Sequence, residues 1–394
     1  MNRTIVSTTL AALLAACGGA ETKTGSGGTG IAPPPEQTVA SGPLTGLGPL
    51  GVAGASLDDA ATLVLLNINS GKNATALRLG MTANANGTAA SSTGSGQAFG
   101  AVAQSLVRGP ATSIDTATNR LTVLSIVLRV DTNTLFEGIT GISELTVGDE
   151  VEAFGIALAG NQGALATRLI VHKAATGGNV EVLGTIGELG VTSLVVQGIP
   201  VNLTNAQIGA TSAAGVVFSA TTPVTLSQGM LVRVLGAYND TSGVLSATTV
   251  VASLAPARPE GTLIFIEGFV RDLTGMTRFK LPDLEIDGAS QPNILPNVTI
   301  GTRVRVRGKM QAGILKADAI EIIQPAKRTE FVVEGTVTAF ASPATFYVRG
   351  EIIDATQAIF PNGSAASLGN EKRVRIKGNA GPGKLMASEV TYIN

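Results

Sequence analysis

The segment Gly301–Gly308 reads Gly-Thr-Arg-Val-Arg-Val-Arg-Gly, a single β-strand bracketed by glycines. Val304 and Val306 face one way and Arg303, Arg305 and Arg307 the other, the period of a half-buried strand. The block returns four more times, as Gly80–Gly87, Gly148–Gly155, Gly229–Gly236 and, with two extra residues, Gly369–Gly378. Self-similarity on this scale marks a tandem array of one small β-unit.

Further landmarks accompany each block in a fixed order. An opening glycine starts a strand in each unit, at Gly42, Gly109, Gly184, Gly268 and Gly335. An apolar residue then precedes Asp or Asn, at Leu57-Asp58, Val130-Asp131, Val201-Asn202, Ile286-Asp287 and Ile353-Asp354. After the bracketed strand comes a last strand centred on Ala98, Ala166, Ala247, Ala317 or Ala387. The closing glycine lies eleven residues before that alanine in the first three units and nine in the last two. Each landmark has a physical role. Glycine permits corners, Asp or Asn bonds its own backbone and starts a turn, and a small alanine lets another strand approach.

Each unit holds four or five strands, and so small a sheet hides its edges best by closing. The expected fold is therefore all-β, with tandem small β-barrel units after a disordered N-terminal tether. The expected units are 42–107, 108–178, 179–260, 261–329 and 330–394, with joints near 174–178, 252–260 and 325–329. Cores this small are thin, so neighbouring units are expected to pack in a row.

Composition agrees: hydrophobic residues make up 44%, charged residues only 14%, and there are 49 glycines. The net charge of −1 gives no bulk electrostatic case for nucleic acid. The amino terminus has a short positive region, Asn2-Arg3, and an apolar stretch from Thr4 to Ala16, too short to span a bilayer. It ends in Leu14-Ala15-Ala16-Cys17, which resembles the bacterial lipoprotein lipobox. The resemblance implies a signal peptide over 1–16, cleavage before Cys17 and acylation of that residue. Cys17 is the sole cysteine, so it has no intramolecular disulfide to make. Gly18 stands where retained inner-membrane lipoproteins carry Asp, which by the same resemblance implies the outer membrane. Residues 17–41, rich in Gly, Ser and Thr with Pro33-Pro34-Pro35, read as a flexible tether.

The body resembles the bacterial DUF5666 family, domains of unknown function found in tandem in envelope lipoproteins. The residues carrying the resemblance include Gly42-Pro43-Leu44-Thr45-Gly46, Leu79-Gly80-Met81, Gly109-Pro110-Ala111, Leu121-Thr122-Val123-Leu124, Val147-Gly148-Asp149-Glu150-Val151 and Ala166-Thr167-Arg168. The family implies no activity. Its strand order is similar to that of OB-like barrels.

Catalytic chemistry finds little footing. General-base and most zinc chemistries need histidine with partners, and His172 is the single histidine, at a strand end. Asp283-Leu-Glu285-Ile-Asp287-Gly288 mimics the front of a calcium loop, but position twelve is Ile294 rather than Glu. No cofactor, metal site or enzyme is expected. One pattern does suggest binding. The basic ladder Arg303, Arg305, Arg307, Lys309 has a counterpart in Lys372, Arg373, Arg375, Lys377. Stacked, the two would form one cationic strip for an anionic envelope glycan or lipid. The absence of Trp and the presence of only three Tyr argue against carbohydrate and single-strand platforms. The first expectation is a lipid-anchored cell-envelope protein that binds or scaffolds envelope proteins. The alternative is glycan or lipid binding through the ladders.

Overall fold

Five stretches of chain each wind into a small closed five-stranded barrel. The structure, a computed structural model, describes residues 36–394 except 68, 91–92, 173–179, 212–217, 220–223, 253–257, 283 and 394. The leader, Cys17 and most of the tether lie outside the described residues. One boundary changes: the first strand, Glu36–Leu47, takes in residues 36–41, which the sequence reading had placed in the tether.

Barrel 2 shows the common path. Its first strand, Val107–Asp115, pairs with Arg120–Val123, which pairs with Ile126–Arg129. That third strand runs parallel to the fifth, Ala164–His172, through Leu128 and Ala164. The fourth strand, Glu150–Ala157, lies between the fifth and the first and closes the barrel. The same parallel closure joins Ser56 to Ser95, Val201 to Leu245, Ile286 to Leu315 and Ile353 to Leu385. Closure leaves none of the five strands with a bare edge within its barrel.

The landmarks explain this recurrence. Asp58, Asp131, Asn202, Asp287 and Asp354 each accept a bond through Oδ1 from the backbone N–H two residues on, at 2.8–3.1 Å. Each is an Asx turn at the end of the third strand. The closing glycine of every bracket faces the landmark alanine, pairing Gly87 with Ala98, Gly155 with Ala166, Gly236 with Ala247, Gly308 with Ala317 and Gly378 with Ala387. The register slips by one residue at each glycine, which is a β-bulge. A Cβ on Gly87 would stand 1.9 Å from the carbonyl oxygen of Gln97, and one on Gly378 2.4 Å from that of Met386. The pair of small residues is therefore the imprint of a bulge.

Two landmarks need correction. The opening glycines do not start their strands; each lies inside the first strand, and in the first four units it is opposite the third residue after the bracket's first position, as Gly109 is opposite Val151. The two extra residues of the fifth bracket also disappear. Gly80, Gly148, Gly229 and Gly301 hold φ of 75–97°, and in barrel 5 that conformation falls on Glu371, at 68°, rather than on Gly369. Glu371 N–H donates to Val337 O at 3.0 Å, as Gly301 N–H does to Val270 O at 2.8 Å.

The barrels join into one compact body, and their contacts are not those of a simple row. The first strand of barrel 1 pairs in parallel with the first strand of barrel 4, from Thr38–Leu263 to Ser41–Ile266. Farther along it pairs with the first strand of barrel 5, through Gly46–Val332 and Leu47–Val333. Barrels 2 and 3 join through Val107–Val182 and Arg108–Glu181. The cores follow: barrels 1 and 5 share one cluster and barrels 2 and 3 another, while that of barrel 4 includes Val39 of barrel 1. The joint at 325–329 is tied down, with Asn133 holding Thr329 N–H at 2.6 Å and Asn379 Nδ2 holding Thr329 O at 2.8 Å.

Candidate functional site

The ladder of barrel 4 sits on its fourth strand, Arg303–Gln311, beside the first, Leu263–Phe269. Alternation places Glu267 directly across from Arg305. Its side chain is only 2% exposed, and it takes both neighbouring guanidinium groups. Arg303 reaches Oε1 at 2.9 Å (Nε) and 2.5 Å (Nη2), and Arg305 reaches Oε2 at 3.1 Å (Nε) and 2.9 Å (Nη2). Arg305 also meets Glu321 at 3.0 Å, and Lys309 meets Glu36 of barrel 1 at 2.7 Å. The face turns inward: a cavity of about 30 Å³ lies among Arg303, Arg305, Glu267, Pro43, Thr167 and Phe331, the size of one water. This ladder is a rivet between barrels rather than an open strip.

The ladder of barrel 5 has the opposite setting. Arg373 is 59% exposed and meets Glu334 at 3.0 Å, and Lys377 meets Glu389 at 3.1 Å. Lys372 and Arg375 are exposed and form no ion pair among the described residues. In hydrogen-bonded order the two ladder strands are separated by the first strands of barrels 4, 1 and 5. The single strip expected from the sequence is therefore not formed, because barrel 1 inserts its strand between them. Arg307, also without an ion pair among the described residues, has its Nε buried.

Two buried arginines and a half-buried one, all absent from the expected site, hold the body together. Arg168 lies on the fifth strand of barrel 2. Its Nη1 binds Glu351 of barrel 5 at 3.2 Å and the Leu79 carbonyl of barrel 1 at 3.0 Å, and its Nη2 binds Glu137. Glu351 in turn accepts the Leu79 N–H at 2.8 Å. Burial works against the Arg168 charge, but Glu351 and Glu137 outweigh it and hold the guanidinium above its ordinary value. Arg233, fully buried, pairs with Glu181 at 2.9 Å and donates to Ser105 O at 2.7 Å, tying barrel 3 to the joint between barrels 1 and 2. There burial wins and pulls the guanidinium down. Arg349 grips Asp59 of barrel 1 at 2.9 Å, and burial still pushes Asp59 above its usual carboxylate range. Arg168 and Thr167 belong to the quoted Ala-Thr-Arg motif, which offered a signal. Arg233, alternating with Val232 and Val234, reads as an ordinary wet-face residue, so nothing local announced its burial.

The remaining candidates have structural settings. His172 is exposed at its strand end, across from Glu150. Asp287 binds Lys316 at 2.6 Å, which lowers its carboxyl below the usual range, and Glu285 lies 3.5 Å from Arg278. Among the described residues no three His, Cys, Asp or Glu side chains cluster as metal ligands would.

This architecture defines an all-β protein of tandem OB-like barrels. Residues 108–169 and 334–391, in barrels 2 and 5, match the Domain of unknown function (DUF5666), which is consistent with tandem repeats of that domain. No curated protein matches the chain.

Proposed function

We propose that this chain is a non-enzymatic, lipid-anchored cell-envelope protein, acylated at Cys17, whose five-barrel body holds or bridges envelope proteins. The observation that carries the reading is the use made of charge. Arg168, Arg233, Arg349, Arg303 and Arg305 are all engaged between or beside barrels, which turns five thin-cored units into one platform. No helix among the described residues is long and apolar enough to cross a membrane. The Gly18 position favours the outer membrane. In-cell crosslinking with mass spectrometry, comparing wild type with Cys17→Ala, tests this. A defined envelope protein captured by the wild type and lost without the anchor is expected. Equal capture by both forms would remove the anchored-scaffold reading.

A second reading keeps the ladder of barrel 5 alone as a site for an anionic glycan or lipid. It is favoured by the exposure of Arg373 and of Lys372 and Arg375, which form no ion pair among the described residues. Such binding would weaken steeply with salt and be lost in Arg373→Glu/Arg375→Glu, whereas a protein contact through apolar or backbone groups would change little.

A further inference from the structure

A cleft of about 170 Å³ opens where barrel 2 meets barrel 5, and Arg168, Glu137 and Glu351 lie in its lining. One wall is the short strand Leu135–Glu137, which pairs on one side with the fifth strand of barrel 2. No second strand pairs with its other side among the described residues. The facing wall comes from barrel 5 and includes Tyr347, Ile352 and Lys384. The volume equals that of roughly five or six waters and falls below that of an ordinary drug-sized pocket, so an occupant would be small.

The polar groups of the cleft are fixed before any ligand arrives. Lys384 Nζ donates to Ala344 O at 2.8 Å and to Thr345 Oγ1 at 3.0 Å. Both acceptors are neutral; no carboxylate lies within ion-pair distance of this ammonium among the described residues, and the charge of Asp354 acts on it from farther off. An ammonium has three N–H donors, so one remains. On the opposite wall Glu137 is held by Arg168 through Oε2, its side chain is 45% exposed, and Oε1 has no partner among the described residues. The Tyr347 hydroxyl has no partner among the described residues. Phe136, Ile352 and Leu385 supply apolar surface between the charges.

Each wall carries both signs, Glu137 with Arg168 on barrel 2 and Lys384 with Glu351 on barrel 5. Arg168 engages both carboxylates, and a cleft of mixed charge with apolar surface between suits a dipolar guest. A simple anion would meet Glu137, and a simple cation would meet Lys384. We propose that the cleft between barrels 2 and 5 binds a small zwitterion, an amino acid or dipeptide. Its carboxylate would lie on Lys384 and Tyr347, and its ammonium on Glu137. The site goes beyond the scaffold reading, which stands or falls separately on crosslinking.

Isothermal titration of the full chain with L-alanyl-L-alanine tests the proposal. For so small a ligand a dissociation constant on the order of 1 mM is expected. Acetylating the amino group or amidating the carboxyl group should each weaken binding about tenfold or more, since each leaves one fixed charge unanswered. Lys384→Met should do the same and Tyr347→Phe should weaken binding a few-fold. The blocked ligands, used on unaltered protein, keep the test valid if a variant fails to fold. No heat up to about 10 mM dipeptide, some ten times the expected constant, would overturn the proposal. So would equal binding of the acetylated dipeptide, which would mean a plain carboxylate site.

Discussion

Barrels 4 and 5 carry nearly the same ladder, and the fold uses the two in opposite ways. In barrel 4 the guanidinium groups close on Glu267 and face barrel 1, leaving Arg303 13% exposed. In barrel 5 the equivalent Arg373 is 59% exposed. Alternation of residues establishes which side chains share a face. It carries no information about what covers that face, which is decided by how barrel 1 threads its first strand between the two barrels.

The largest expected effect is at the covered ladder. Glu267→Gln leaves two guanidinium groups facing a neutral partner in a buried setting, and should cost about 3–5 kcal/mol. The matched Glu334→Gln in barrel 5 should stay within about 0.5 kcal/mol, because its partner is solvated. Urea unfolding midpoints of the two variants check the contrast. Equal losses would mean the ladders are equivalent after all.

Next in size is the link between barrels 1 and 5. Arg349→Met removes the bidentate partner of Asp59 and should cost about 1.5–3 kcal/mol near neutral pH. The pH dependence has a definite sign. The folded carboxyl of Asp59 lies above its ordinary value of 3.8 because burial outweighs Arg349. The folded state therefore binds this proton more readily than the unfolded state does. Asp59 favours folding as pH falls through the window above 3.8, and its contribution stops changing below it. Losing Arg349 raises the folded value further and widens that window. The deficit of Arg349→Met should thus be largest at neutral pH and shrink as pH is lowered, which thermal unfolding across pH would show.

A smaller pair sharpens the backbone comparison. Gly301→Ala has open space for its Cβ but a left-handed backbone, φ 86°, and should cost about 1–2 kcal/mol. Glu371→Gly, at the equivalent position in barrel 5, should stabilise by about 0.5–1 kcal/mol. The same unfolding assay reads both, and a loss on Glu371→Gly would mean that its side chain has a role beyond the turn. Smallest of all, Arg373→Gln should shift the midpoint by less than about 0.5 kcal/mol and lose even that at high salt.

What was legible in the sequence was what local chemistry determines. The Asx turns at Asp58, Asp131, Asn202, Asp287 and Asp354 need only a side chain and the next two peptides. The repeat of glycine and alanine was visible, but its meaning was not, since a bulge is a relation between two strands. Glu371 stayed hidden because a left-handed backbone on a non-glycine residue has no signature in residue type. The pairing of Thr38–Ser41 with Leu263–Ile266 joins segments more than two hundred residues apart, and periodicity within either strand is silent about it. The same distance hid the roles of Arg168 and Arg233, which each pair with a carboxylate of their own barrel but also reach across, to Glu351 and Leu79 and to Ser105. The cationic strip was inferred from residues that share a face, and it failed because another strand lay between the two faces.

The central claim is that barrel 1 stitches barrels 4 and 5 into one body through its first strand. Residue-resolved hydrogen exchange over Thr38–Ser41 tests it most directly. One edge of this stretch bonds the fourth strand of barrel 1 and the other bonds barrel 4. Protection of successive amides, pointing alternately to the two edges, by about a thousandfold or more is the predicted result. If the amides facing barrel 4 exchange as freely as those of an exposed strand edge while their neighbours stay protected, the barrels are separate beads and the account is wrong.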